Sequence, residues 1–136
     1  MAAEGLISIV SAGTYAATID RLDAALRKRG IVPVAKVDHS TAASEVGLKL
    51  RPLLLVIFGD PRVGTPLMQE EPTAGIDLPL KLLIWEDEQG AVQVGYNDPT
   101  WIRERHGVRL TSDPSGGMAA SIRDLALSTA GAIESR

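Results

Sequence analysis

The sequence predicts an α+β domain, and three observations carry that prediction. The apolar stretches read in the order strand, helix, about four strands, helix. Strands and helices do not alternate regularly, which separates the chain from doubly wound parallel sheets. Glycine, proline and capping residues punctuate the boundaries, most densely between Asp38 and Gly107. At 136 residues the chain reads as one domain, residues 1–136, with enough length to bury a core.

Leu6 to Val10 is a short apolar strand ended by Ser11-Ala12-Gly13. Thr14 caps a helix whose Tyr15, Ile19, Leu22 and Leu26 form one stripe, with Arg27, Lys28 and Arg29 at its negative end and Gly30 just beyond. Ile31 to Val37 alternates as a half-buried strand, and Pro33, lacking a ladder donor, marks it as an edge strand or bulge. Thr41 to Val46 suits one helical turn closed by Gly47, and Leu53 to Phe58 suits a central strand. Thr65 and Pro66 suit the N-cap and first turn of a short helix.

Leu80–Trp85 and Val92–Tyr96 flank the turn Glu86-Asp87-Glu88-Gln89-Gly90, a hairpin signal. Asp98 and Pro99 then open a short helix ended by Gly107. Thr111 to Gly117 reads as a flexible connection. Met118, Ile122, Leu125 and Ile133 form the apolar face of a terminal helix.

Composition excludes several functions. A formal net charge of −3 with no basic block argues against nucleic acid as a partner. The absence of cysteine removes disulfides, thiol nucleophiles and thiolate metal sites. No apolar run approaches the roughly 20 residues that span a bilayer, and the N-terminus lacks a signal-peptide pattern. The expectation is a soluble, cytoplasmic protein with no membrane partner.

The chemistry-bearing residues are few. Gly59 to Thr65 has the glycine spacing of a phosphate loop but lacks the following lysine, so capping accounts for it without a nucleotide. Asp38 and His39 end a strand; the pair is a candidate general base, although local hydrogen bonding at a strand end is the better account of it. Arg105 and His106 suit a helix C-terminus. Arg51, Arg62 and Lys81 lie near strand ends, where each can meet an anionic ligand or pair with Asp77, Glu86 or Asp87. Two histidines far apart make a weak metal signal, and no metal or cofactor is expected.

Taken together, the Asp38-His39 pair, the turn Gly47-Leu48-Lys49-Leu50-Arg51-Pro52, the loop Phe58–Met68, Gly75–Lys81, Trp85-Glu86-Asp87 and Tyr96–Pro99 resemble the domain-of-unknown-function family 302. The resemblance implies a β-α-β4-α topology similar to TATA-binding-protein-like folds, with a mostly antiparallel sheet packed by two main helices and short helical insertions. It implies a homodimer. It brings no activity and no catalytic residues, since folds do not fix functions.

The leading expectation is a dimeric domain that binds a small anionic or carbonyl-bearing molecule in a polar-rimmed pocket, with Arg51, Lys81, Asn97 and His106 as ligand-binding candidates. A second is a metal-free lyase, isomerase or cyclase with Asp38 or His39 as base. A third is a structural or partner-binding module.

Overall fold

The order of elements follows local rules of capping and turn chemistry that are visible residue by residue. The computed structural model describes residues 3–109 and 114–132. They form β1 (Leu6–Val10), α1 (Tyr15–Lys28), β2 (Ala35–Asp38), α2 (His39–Glu45), β3 (Leu53–Ile57), α3 (Pro61–Glu70), a 3-10 helix (Pro72–Ile76), β4 (Lys81–Glu86), β5 (Val92–Asn97), α4 (Pro99–Arg105) and α5 (Pro114–Ala130). The five strands make one antiparallel sheet in the order β1-β5-β4-β3-β2. This is the predicted α+β class with the β-α-β4-α order.

Several predicted boundaries hold. Thr14 caps α1 by accepting from the Ala17 amide at 3.1 Å. Asp98 caps α4 by accepting from the Thr100 amide at 3.0 Å, with Pro99 in the first turn. The β4–β5 hairpin is organised by Asp87, whose carboxylate accepts from the Gln89 and Ala91 amides and from the Gln93 side chain. Local chemistry of this kind needs no knowledge of the tertiary fold.

Other boundaries differ. The helix expected to begin at Thr65 begins five residues earlier: Asp60 is the N-cap, accepting from the Arg62 amide at 2.9 Å, and Pro61 fills the first turn. Asp60-Pro61 has the same capping chemistry as Thr65-Pro66, and starting there adds a helical turn at the cost of the one hydrogen bond that Pro66 cannot donate. Ile31 to Val34 is not strand; β2 begins at Ala35, and the edge placement expected from Pro33 holds. The helix expected over Thr41–Val46 starts at His39 because Asp38 caps it. β3 is an interior strand but not the middle one, which is β4. Pro114 to Gly117, expected in a connection, opens α5, while Thr111–Asp113 and Ile133 lie outside the described residues.

The core forms on one face of the sheet. Alternate residues of β3, β4 and β5 (Leu54, Val56, Leu82, Ile84, Val92, Val94, Tyr96) are buried under Leu22, Ala25 and Leu26 of α1 and Ile122, Leu125 and Ala126 of α5. The other face carries the half-buried Leu53, Leu55, Leu83 and Trp85. A small satellite core joins Leu67, Val108 and Met118, with Leu78 and Leu80 packed against it. Among the described residues, no helix is long and apolar enough to cross a membrane.

Candidate functional site

The sheet register divides the candidate side chains into two groups. At one end, Asp38 stands across from Leu54, and Trp85 stands across from Leu53 and Gln93. Arg51 belongs to this end, close enough for its charge to act on Asp87. At the other end, Lys81 pairs with Ile57 and Asn97 with Leu6. His106 lies beyond that second end, in contact with Asp77. The candidates Asp38, His39 and Arg51 are therefore separated from Lys81, Asn97 and His106 by the length of the strands.

Asp38 has a local task. Its Oδ1 accepts from the Thr41 amide at 2.9 Å and the Ser40 hydroxyl at 2.7 Å. The Thr41 amide and the Ser40 hydroxyl hold its carboxyl below the usual range, which makes it a poorer proton acceptor. His39 is the first, exposed residue of α2. The geometry at this end is that of a helix cap.

At the other end a polar network surrounds Asp77, the C-cap residue of the 3-10 helix. Arg105 Nη1 donates to both carboxylate oxygens at 2.8 Å, and His106 Nε2 lies 2.5 Å from Oδ2. A carboxylate only accepts, so Nε2 carries the hydrogen. His106 Nδ1 is then 2.8 Å from the Thr73 hydroxyl, which also lies 3.2 Å from Glu71 Oε1. With a neutral imidazole the hydroxyl gives its hydrogen to Nδ1; with a charged one Nδ1 donates and the hydroxyl turns to Glu71. The His106 and Asp77 side chains are only 7% and 12% exposed.

Burial pushes Asp77 upward, but the hydrogen bond from His106 and the charge and hydrogen bonds of Arg105 outweigh it and hold the carboxyl low. Lys81 Nζ donates to the backbone carbonyls of Asp77 and Pro79 at 2.9 and 3.1 Å. Burial pushes its ammonium down, against the pull of Asp77.

Among the described residues, none of the three concavities that border α1 and α3 is lined by His39, Arg51, Lys81, Asn97 or His106. One is a shallow groove beside α1 and β2, of about 470 Å³. A second is a mostly apolar cleft of about 310 Å³ between the connection that follows β3, the first turns of α3 and the Leu78-Pro79-Leu80 segment, where Leu78-Pro79 is cis. Its walls include Val63, Met68, Leu78, Leu80 and Met118, with Asp60 and Thr65 as polar groups. Gly59 shapes it: an added Cβ would stand 3.1 Å from Pro79 Cβ, so a bare backbone lets the two segments approach. The cleft opens into a broader groove of about 900 Å³ that adds Arg29, Arg62 and Asp124.

Arg62 reaches back to Asp60 through Nε at 3.1 and 3.2 Å and Nη2 at 2.8 Å. Its side chain is 90% exposed, and the Nη1 hydrogens are not used by that pair. Sequence alone reads Gly59–Thr65 as a loop closed by a Thr65 cap; in the structure Asp60 is the cap and residues 61–65 are already helix, and the cleft beside them leaves no signal in the sequence. Its walls are aliphatic residues with no chemical signature. Thr73 was missed for a similar reason, since a threonine near a 3-10 turn draws no notice until the fold brings His106 to it.

Comparisons with known proteins agree with this architecture. A model of the family described as Domain of unknown function DUF302 matches residues 7–124. The proteins described as fluoride-specific ion channel FluC 1 from Brucella suis biovar 1 (strain 1330) and Brucella abortus biovar 1 (strain 9-941) are each 44% identical over 109 residues, 80% of this chain. The match covers 43% and 40% of their own lengths, so the chain spans about two fifths of these relatives. The crystal structure of an uncharacterized conserved DUF302 protein from Bacillus stearothermophilus is similar in fold, with a TM-score of 0.72 over 95% of this chain and 98% of that one at 19% identity.

Proposed function

The chain belongs to the DUF302 family, and we propose that it is a dimeric small-molecule-binding domain whose ligand occupies the cleft beside α3. One observation carries this reading. The two segments richest in the family pattern, Phe58–Met68 and Gly75–Lys81, converge on one concavity and supply most of its wall. An apolar cleft of about 310 Å³ with a few polar groups is the usual form of a site for a small organic molecule. The apolar body would lie against Val63, Met68, Leu80 and Met118, and a carboxylate or carbonyl would meet the free Nη1 hydrogens of Arg62.

The test is a titration with benzoate and hexanoate, followed by methyl NMR. Saturable shifts are expected at Val63, Met68 and Met118. Val63→Trp, at an exposed position of α3, should abolish those shifts while leaving the thermal midpoint unchanged. Absence of saturable shifts at these methyls, or wild-type binding by the Val63→Trp variant, would remove the cleft from the function.

One observation favours a second reading, proton-transfer chemistry. The alignment Asp77, His106, Thr73 places a base between an orienting carboxylate and an exposed hydroxyl, the arrangement a general base needs. On this reading His106 replaces Asp38 or His39 as the base. Turnover of any substrate found would be lost in His106→Gln and kept in His39→Ala; the reverse pattern would exclude it.

The Brucella relatives suggest a setting. We read this chain as equivalent to a domain joined to the channel part of those longer proteins, with ion conduction belonging to the remainder.

A further inference from the structure

Residues 32–51, comprising β2, α2 and the connection to β3, form regular structure yet contain no buried residue. Six of the ten exposed large apolar side chains among the described residues lie in this stretch: Val32, Val34, Val37, Val46, Leu48 and Leu50. Val32 is 82% exposed and Val46 72%. β2 is also the last strand of the sheet, so one side of its backbone has no strand beside it. The strand's four-residue length, Lys36 and the preceding Pro33 limit open-ended pairing at this edge, yet the apolar border on both sides of it marks an interaction surface.

We propose that this flank is the seat of a second copy of the same chain, paired through β2 about a two-fold axis at Val37. Antiparallel self-pairing centred there sets Val37 opposite its counterpart on the open face of the sheet. It sets Lys36 of each copy opposite Asp38 of the other, an opposite-charge cross-strand pair made twice. Asp38 has room for this contact, because the bonds from Ser40 and Thr41 both fall on Oδ1. Lys36 now reaches only the partly exposed Asp23, at 3.2 Å.

The same axis directs the Val32–Val34 end of each copy toward the other copy's α2 and its Val46, Leu48 and Leu50. The apolar residues at the two ends of β2 are thereby matched to each other. Within the stretch, charge is nearly balanced: Lys36, Lys49 and Arg51 against Asp38 and Glu45. That composition suits neither a polyanion nor an anionic membrane surface, and it is compatible with its own copy. A four-residue ladder is short, so the apolar border must supply most of the association.

The chain has no cysteine, so Val37→Cys creates a unique thiol. Directly opposed antiparallel residues have Cα atoms about 4.5–5.5 Å apart, inside the roughly 4.4–6.8 Å that a disulfide spans. Mild oxidation should therefore link Val37→Cys quantitatively into dimers. Val10→Cys, on the exposed strand at the opposite sheet edge, should not link. In sedimentation equilibrium the wild type should be a dimer, and Leu48→Asp/Leu50→Asp should weaken association at least tenfold with an unchanged circular dichroism spectrum. A wild type that stays monomeric at every concentration overturns the proposal. So does a dimer that neither links at position 37 nor weakens in the double variant.

Discussion

Replacing Asp77 with alanine is expected to lower the unfolding free energy by about 2–4 kcal/mol at neutral pH, the scale for removing one member of a largely buried charged network. For a chain of this size that is a fall in thermal midpoint of roughly 10 °C. The substitution takes away the acceptor of both Arg105 and His106, and it leaves the Nε2 hydrogen of a nearly buried imidazole without a partner. Removing Arg105 instead should cost about 1 kcal/mol or less, because its side chain is 48% exposed and its charge is screened by solvent. Lys81 keeps its bonds in either variant, since it donates to backbone carbonyls.

The Asp77 effect has a definite pH signature. Its folded carboxyl is held below the usual range, so its contribution is present above the unfolded value of about 3.9 and is lost as pH falls through the lower folded value. The stability gap between wild type and Asp77→Ala should thus be full at neutral pH and shrink below about pH 4. Urea unfolding across an acid series measures it. A gap that stays constant across that series would show that packing around Asp77, and not its charge, stabilises the junction.

The parts of the fold that were legible in the sequence are those governed by a few adjacent residues. Thr14, Asp98-Pro99, Gly30, Gly90 and Gly107 each mark a cap or turn whose chemistry is local, and each stands where expected. The misplaced boundaries are those where two local solutions competed or where tertiary context decided. Asp60-Pro61 and Thr65-Pro66 offer the same capping chemistry, and only the fold chooses between them. Val32 and Val34 alternate like core residues, but they are exposed at the border of an edge strand. Sequence alternation reports that one side is apolar; it does not report what covers that side.

The same limit explains the candidate site. His39, Arg51, Lys81, Asn97 and His106 were singled out as polar groups near element ends, and they are near element ends. A β-sheet has two ends, and only strand register assigns each residue to one of them. Lys81 and His106 do share a neighbour, Asp77, already visible in the sequence as an acidic group within reach of strand-end cations. The cleft beside α3 was legible only through Gly59 and Gly64, because its walls come from the β3–α3 connection, α3, α5 and the Leu78–Leu80 segment at once.

Gly5→Ala should destabilise the chain by about 2–4 kcal/mol, from two separable causes. Gly5 has a φ of +76°, where an L-residue pays about 1–2 kcal/mol in backbone strain. An added Cβ would also stand 2.3 Å from Trp101 Cδ2 and 2.6 Å from Cγ, inside the indole's own contact distance. The ring must move, and forced repacking of this kind costs about 1–3 kcal/mol. Moving it also disturbs Arg105, whose guanidinium lies 5.5 Å from the ring centroid, and so reaches the Asp77 network. Gly90→Ala separates the two causes: Gly90 has a φ of +81° with nothing within 4 Å of an added Cβ. That variant should lose only the backbone part, about 1–2 kcal/mol. Unfolding free energies of the two variants from urea titration, at unchanged m-value, should differ by about 1 kcal/mol or more, with Gly5→Ala the weaker and its midpoint the lower. Equal midpoints would mean that Trp101 yields without cost, and that the entry to β1 does not help to hold Arg105 over the indole and against Asp77.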